Sequence, residues 1–227
     1  MDGGLIRRLI HRFKNKGSAF LALPLLLVAV SAWSRDSFSS GPVVTGEASH
    51  LDGGSRWIFA KAEALDAMSA SLGFPSTGSQ FLLWGGGATI SKPQMRMGVS
   101  GFTGGLSARS GQRATGWDLQ LATLTMEQRY DYGSFVVTAG ANTDYGYLTG
   151  RLEDGADVTY VQVPLFGGGV NTGFRWPAQT KMSFFTRVGY SWLQGNGEWR
   201  GKQGTALGTK SFDLQGLNIT AQVELSL

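Results

Sequence analysis

The chain contains no cysteine, which excludes disulfides, thiolate metal ligands, cysteine nucleophiles and cysteine-linked lipids. Only two histidines occur, His11 and His50, so a hydrolytic triad or a zinc centre has little to draw on. Charge is scarce too: Asp, Glu, Lys and Arg make up 16% of residues, against about 25% in ordinary soluble domains. No apolar run reaches the ~20 residues that a membrane-spanning helix requires. What is plentiful is glycine, at 34 of 227 residues, about twice its usual ~7% share. Hydrophobic residues reach 42%, too many for a disordered chain. The length fits one ordinary domain or a small barrel.

The formal charge of +4 is unevenly placed. Arg7, Arg8, Arg12, Lys14 and Lys16, against Asp2 alone, hold all of that excess within residues 1–34; the rest of the chain carries 15 bases and 15 acids. A body with no net charge lacks the basic surface that displaces counterions, so nucleic acid is excluded as a partner. The basic stretch precedes an apolar run from Ala19 to Trp33, interrupted only by Pro24 and Ser31. Small residues follow, permitting cleavage after Ala32 or Ser34. Residues 1–34 are therefore expected to be a signal peptide, and the protein to be exported. The same order of basic and apolar residues also begins an uncleaved anchor. Arg7-Arg8 lacks the remainder of a twin-arginine motif.

Residues 35–56 are rich in Ser, Gly and small polar residues without a period and are expected to be a flexible linker or tail. Ile58, Ala62, Leu65, Met68 and Leu72 recur every three or four residues before Gly73 and Pro75. That spacing predicts one short amphipathic helix over 57–74, ahead of the β region. From residue 79 to 227 the period is two. Phe135, Val137, Ala139, Ala141, Thr143, Tyr145 and Tyr147 share one face; Met182, Phe184, Thr186, Val188, Tyr190 and Trp192 share another. In the last segment Leu217, Ile219, Ala221, Val223, Leu225 and Leu227 alternate with Asn218, Thr220, Gln222, Glu224 and Ser226 without an error.

Turn chemistry at Lys92-Pro93, Ser110-Gly111-Gln112, Tyr132-Gly133-Ser134, Glu153-Asp154-Gly155 and Pro177-Ala178, with the Gly/Lys stretch 201–210, separates seven long segments. Short connections between long segments predict an all-β, antiparallel up-and-down meander closing into a barrel of about eight strands. The eighth is sought in a split of 180–210 or in part of 39–59. Aromatics bracket several segments: Phe135 with Tyr145, Trp117 with Tyr130, and Tyr160 with Trp176. Ten residues at ~3.3 Å and a tilt of about 40° give roughly 25 Å, the height of an outer-membrane apolar band. These six residues are the candidate aromatic girdle.

On this pattern, residues 80–227 resemble the small outer-membrane β-barrel proteins of diderm bacteria. The terminal strand LNITAQVELSL is similar to the assembly signal of that class, although it ends in Leu227, with Leu225 two positions earlier, where the class favours aromatics. The resemblance implies contact with outer-membrane lipid and with the barrel-assembly machinery. A secreted soluble β-sandwich or β-roll with the helix packed on it satisfies the same alternation. So does a surface-layer subunit that self-associates edge to edge.

The chemistry is sparse. The runs LFGGGVNTGF and LLWGGGATIS lack the helix start and Lys-Ser/Thr of a phosphate loop, and read as strand glycines. Glu153, Asp154 and Asp157 form an acidic hairpin tip, read as a solvated turn. No catalytic residue, metal ligand or cofactor is expected. The candidate site is instead a polar network inside the barrel: Asn142, Asp144, Arg187, Asn218, Thr220, Gln222 and Glu224, with an ion pair between Glu224 and Arg187. The helix is expected either to plug the lumen or to lie on the membrane. Together these readings describe a non-enzymatic outer-membrane barrel with a structural, adhesive or minor transport role. The alternative is a secreted soluble β protein that binds an apolar ligand or self-assembles at the cell surface.

Overall fold

A computed structural model describes residues 48–227 apart from 61–62, 72, 79, 179 and 201–205. The expected signal peptide and residues 35–47 of the expected linker lie outside the described residues. Eight strands form the fold: β1 (Ala48–Ala60), β2 (Gln80–Ser91), β3 (Met95–Ser110), β4 (Arg113–Asp131), β5 (Val136–Asp154), β6 (Asp157–Trp176), β7 (Met182–Arg200) and β8 (Ala206–Ser226). Each pairs antiparallel with its sequence neighbour, and β1 pairs with β8, so the sheet closes on itself. The closed ring rules out the sandwich.

The turns follow the chemistry of their residues. Gly111, Gly133 and Gly155 hold φ of 61°, 81° and 60°, a region closed to most side chains. Asp131 accepts a hydrogen bond at 2.8 Å from the Gly133 N–H, an Asx turn that aims β4 back along β5.

Two expectations are corrected. Residues 48–56 are not linker but most of β1, which supplies the missing eighth strand. The helix, α1 (Glu63–Ser71), does not precede the barrel; it sits in the β1–β2 connection. Trp57, Ile58 and Phe59 pair with Leu82, Phe81 and Gln80 on one side and with Ile219, Asn218 and Leu217 on the other. Two ladders outweigh the helical spacing of the isolated segment.

Closure at β1 depends on a missing side chain. A Cβ on Gly54 would collide with the Ala221 carbonyl oxygen and stand 2.7 Å from the Gln222 Cα, both backbone atoms of β8. Only glycine lets these strands approach.

The inner face has two tiers. Near the start of β1, the end of β8 and the 92–94, 132–135 and 177–181 turns it is polar and charged. Towards the opposite end every long strand switches to apolar residues: Trp117, Leu119 and Leu121 on β4, Leu148 and Leu152 on β5, Val161, Val163 and Leu165 on β6, and Phe212 and Leu214 on β8, all buried. Leu65 of α1 joins this core, and Phe74 packs against it.

Candidate functional site

The polar tier is built from one or two inward side chains per strand. Asp144 on β5 sits at its centre. It accepts hydrogen bonds from Arg56 at 2.9 and 3.1 Å, Thr123 at 2.5 Å and Asn142 at 2.6 Å. Arg56 also donates to Thr123 at 2.9 Å and to Ser191 at 3.1 Å, and Asn218 donates to the same serine at 2.7 Å. The carboxylate is fully buried with every neighbour a donor, so the pair is compensated in the way a buried charge requires.

A second cluster lies nearer the start of β1 and the end of β8. Glu224 pairs with Arg96, and with Arg175 Nε at 3.2 Å. Glu127 pairs with Arg187 Nε at 2.6 Å and Arg96 Nε at 3.5 Å. The Phe185 ring packs under both guanidiniums, its centroid 4.1 Å from Arg96 and 4.7 Å from Arg187, which adds cation–π attraction in a desolvated place. Arg175 donates to Ser183 at 2.7 Å and to Ser226 at 3.2 Å, and Ser226 meets His50 Nδ1 at 3.1 Å. Asp52 accepts from Gln222 at 2.6 Å and from Thr89 at 3.1 Å. Among the described residues the tier holds Arg56, Arg96, Arg129, Arg175 and Arg187 against Asp52, Glu127, Asp131, Asp144 and Glu224, so its formal charge is zero.

All seven residues singled out from sequence, Asn142, Asp144, Arg187, Asn218, Thr220, Gln222 and Glu224, lie on this inner face and are buried. The Glu224–Arg187 ion pair does not form. The β7–β8 register sets Glu224 opposite Ser183 and Arg187 opposite Thr220, and Arg187 reaches Glu127 on β4 instead. Sequence reasoning missed Arg56, Arg96, Glu127 and Arg175. Arg56 stood in a stretch read as linker, while the other three occupy inward positions whose period-two signal could have placed them.

Among the described residues, buried side chains fill the lumen. The void between Asp52, Thr89, Gly98, Thr125, Arg187 and Gln222 is about 10 Å³, room for one water at most. Beyond it the apolar tier closes the bore again. His50 is buried against Ser226, and among the described residues no group of three or more acidic, histidine or cysteine side chains is placed to hold a metal ion.

The outer face inverts the inner one. Beside the polar tier it carries an apolar belt: Met182, Phe184, Val188, Tyr190 and Trp192 on β7; Leu217, Val223 and Leu225 on β8, with Leu227 just past its end; Val170, Phe174 and Trp176 on β6. Beside the apolar tier it turns polar, with exposed Asp118 and Gln120 on β4, Arg151 on β5, Gln162 on β6, Gln194 and Asn196 on β7, and Ser211 and Asp213 on β8. The belt runs ten residues on β7 (Met182 to Trp192) and from Leu217 on β8 to Leu227, about 25 Å at a 40° tilt.

The six girdle candidates separate on this surface. Tyr130, Phe135 and Trp176 lie at the belt edge nearest the 132–135 turn, where the Phe135 ring stands 5.0 Å from Tyr132 and 5.5 Å from Phe174. Tyr145 lies at the far edge, its hydroxyl 3.0 Å from that of Tyr147. Tyr160 faces outward beyond the belt, beside Arg151. Trp117 is a correction: it points inward, fully buried, with its ring edge-on to Phe212 at 6.4 Å. Trp84, Tyr190 and Trp192, which sequence reasoning did not assign, are exposed at the far edge.

Comparison with known proteins finds likeness in fold shape only. No family model matches the chain, and no curated protein matches it. Among solved structures, Neisserial surface protein A aligns with a TM-score of 0.48 and 12% identity over 79% of this chain and 95% of its own. A major outer membrane protein from Thermus thermophilus gives 0.46 and 10% over 78% and 99%. The outer membrane protease OmpT from Escherichia coli gives 0.37 and 9% over 84% and 100%.

Proposed function

We propose that this chain is a sealed outer-membrane β-barrel whose role is structural or adhesive. The observation that carries the reading is the mirrored polarity of the wall. Along each long strand the apolar residues cross from the outside to the inside at one level. A soluble barrel needs an apolar interior and a polar exterior along its whole height; this one meets that requirement over half of it. The other half has a polar interior under an apolar belt about 25 Å tall, the arrangement that lipid stabilises. Aromatic side chains at both belt edges suit the two interfaces. The start of β1, the end of β8 and the short turns then lie on the periplasmic side, and the apolar-cored tier projects outward beneath its loops.

Two seals in series, an ion-paired plug and a dry core, argue against conduction. A non-enzymatic reading is supported by His50, spent on packing at Ser226. The test is fractionation of expressing diderm cells, electrophoresis of unheated and boiled extract, and planar-bilayer recording of the refolded chain. Outer-membrane recovery, a heat-dependent mobility shift and no stepwise conductance are expected. Recovery in the soluble periplasm would overturn the membrane reading, and steady unitary currents would overturn the seal.

A further inference from the structure

Outside the lumen the wall carries an open groove of about 450 Å³ on the β3–β4–β5 face, near the 111–112 turn. Its size falls in the range of small-molecule sites, about 300–1,000 Å³. Register explains its shape. Gly105, Asp118 and Thr149 form one cross-strand row, Ser107, Gly116 and Arg151 the next, and Arg109, Ala114 and Glu153 the third. The floor is small residues and the rim is long charged ones. Glu153 is bridged to Arg151 at 2.6 Å and to Arg109 at 3.6 Å, with both arginine side chains more than half exposed.

The floor is kept open without need from within. A Cβ on Gly116 would meet only the Arg151 carbonyl oxygen, at 3.9 Å, and its φ is not positive. A Cβ there is tolerated by the barrel and would project into the groove.

We infer that this groove binds a saccharide. Two guanidinium forks and two carboxylates (Arg109, Arg151, Asp118, Glu153) give a neutral rim dense in donors and acceptors. A strongly anionic ligand meets both carboxylates and a strongly cationic one both arginines, whereas a polyhydroxylated ring uses all four. Tyr160, paired with Arg151 across β5–β6, adds an exposed aromatic face beside the rim. The location suits a sugar at the membrane surface, and here the inference rests on the barrel orientation proposed above. Arg151 lies four residues beyond Tyr147 on β5, about 10 Å above the belt edge. That is the level of headgroup sugars in an outer leaflet.

The experiment uses the full chain refolded in detergent, with its heat-dependent mobility shift checked first. The probes are a glycolipid with an uncharged oligosaccharide headgroup, the oligosaccharide released from it, and a phospholipid that carries no sugar, each titrated calorimetrically. Parent protein is compared with Gly116→Leu and Arg151→Gln. The expected result is saturable binding that weakens at least tenfold in both variants while the mobility shift persists. If released oligosaccharide binds with that dependence, free sugar suffices; if only the intact glycolipid does, the ligand is a headgroup held in the same membrane. The inference is overturned if neither sugar-bearing form binds, if Gly116→Leu binds like the parent, or if the sugar-free lipid binds as well as the intact one. Absence of a mobility shift would instead be a failure of the barrel reading, read before any titration.

Discussion

Replacing Asp144 by alanine tests the account of the lumen most directly. The substitution removes an acceptor that takes two hydrogen bonds from Arg56 and one each from Thr123 and Asn142. Arg56 is left as a buried cation without its counterion, keeping hydrogen bonds to the Thr123 and Ser191 hydroxyls and its place over the Phe102 ring. Breaking one side of such a pair costs about 3–5 kcal/mol. With a urea dependence of ~2–3 kcal/mol/M, the unfolding midpoint in lipid vesicles should fall by about 1–2 M. The double change Arg56→Met with Asp144→Leu removes both charges into apolar side chains and should recover most of the loss, ending within ~1–2 kcal/mol of the parent. The assay is equilibrium urea unfolding followed by tryptophan fluorescence, with the cycle completed by Arg56→Met alone. A single-site loss below ~1 kcal/mol would mean that the pair behaves as if solvated. A double variant as unstable as Asp144→Ala would mean that buried-charge compensation is not what Asp144 supplies.

Three further outcomes follow from the wall. Gly54→Val places side-chain atoms against the β8 backbone and should abolish the heat-dependent mobility shift, whereas Gly101→Val, whose Cβ meets nothing within 4 Å, should keep it. Val188→Arg, near the middle of the belt, should lower stability in vesicles by about 2–4 kcal/mol, while Gln194→Arg, beyond the belt, should change it by ~1 kcal/mol or less; equal effects would refute the assigned depth. Trp117→Ala should cost about 3–5 kcal/mol through the cavity left beside Phe212, measured by the same urea titration; a loss below ~1 kcal/mol would show that the upper tier is not a packed core.

Much of the barrel was legible because strict alternation sustained over a long segment is hard to produce except by a strand with two different faces. In 217–227 every inward residue is polar and every outward one apolar, so periodicity and burial agree. The reversal of polarity along the strands was harder to read. In Val158–Phe166 both faces look apolar, because Val161, Val163 and Leu165 fill the dry tier while Phe166 belongs to the outer belt. A strand that crosses between environments looks like failed alternation. β1 was hidden for a related reason: DGGSR has no apolar inward residue, since Asp52 and Arg56 face the polar tier and Gly54 leaves room for β8. Trp117 was misplaced because spacing gives a distance along a strand but not which face an aromatic takes. The partners of Glu224 and Arg187 depend on register across the bore, which no local period encodes.

The unequal strand lengths have a consequence for how the molecule bends. β1 meets β8 through 11 residue pairs, from His50–Ser226 to Ala60–Gly216, and β2 meets β3 only from Trp84 to Ser91. Among the described residues, β8 before Gly216 has no β1 partner and β3 after Thr103 has no β2 partner. The lower part is a tube, and in the upper part β3 to β8 continue as a curled sheet. A tube changes its bore only by breaking a ladder. A curled sheet can tighten or splay by changing twist, with every pairing kept. The belt-level ring is thus geometrically locked, while the tier above it behaves as a leaf spring clamped at its base, its stiffness set by Leu65, Phe74 and the Arg113 hydrogen bond to the Gly73 carbonyl.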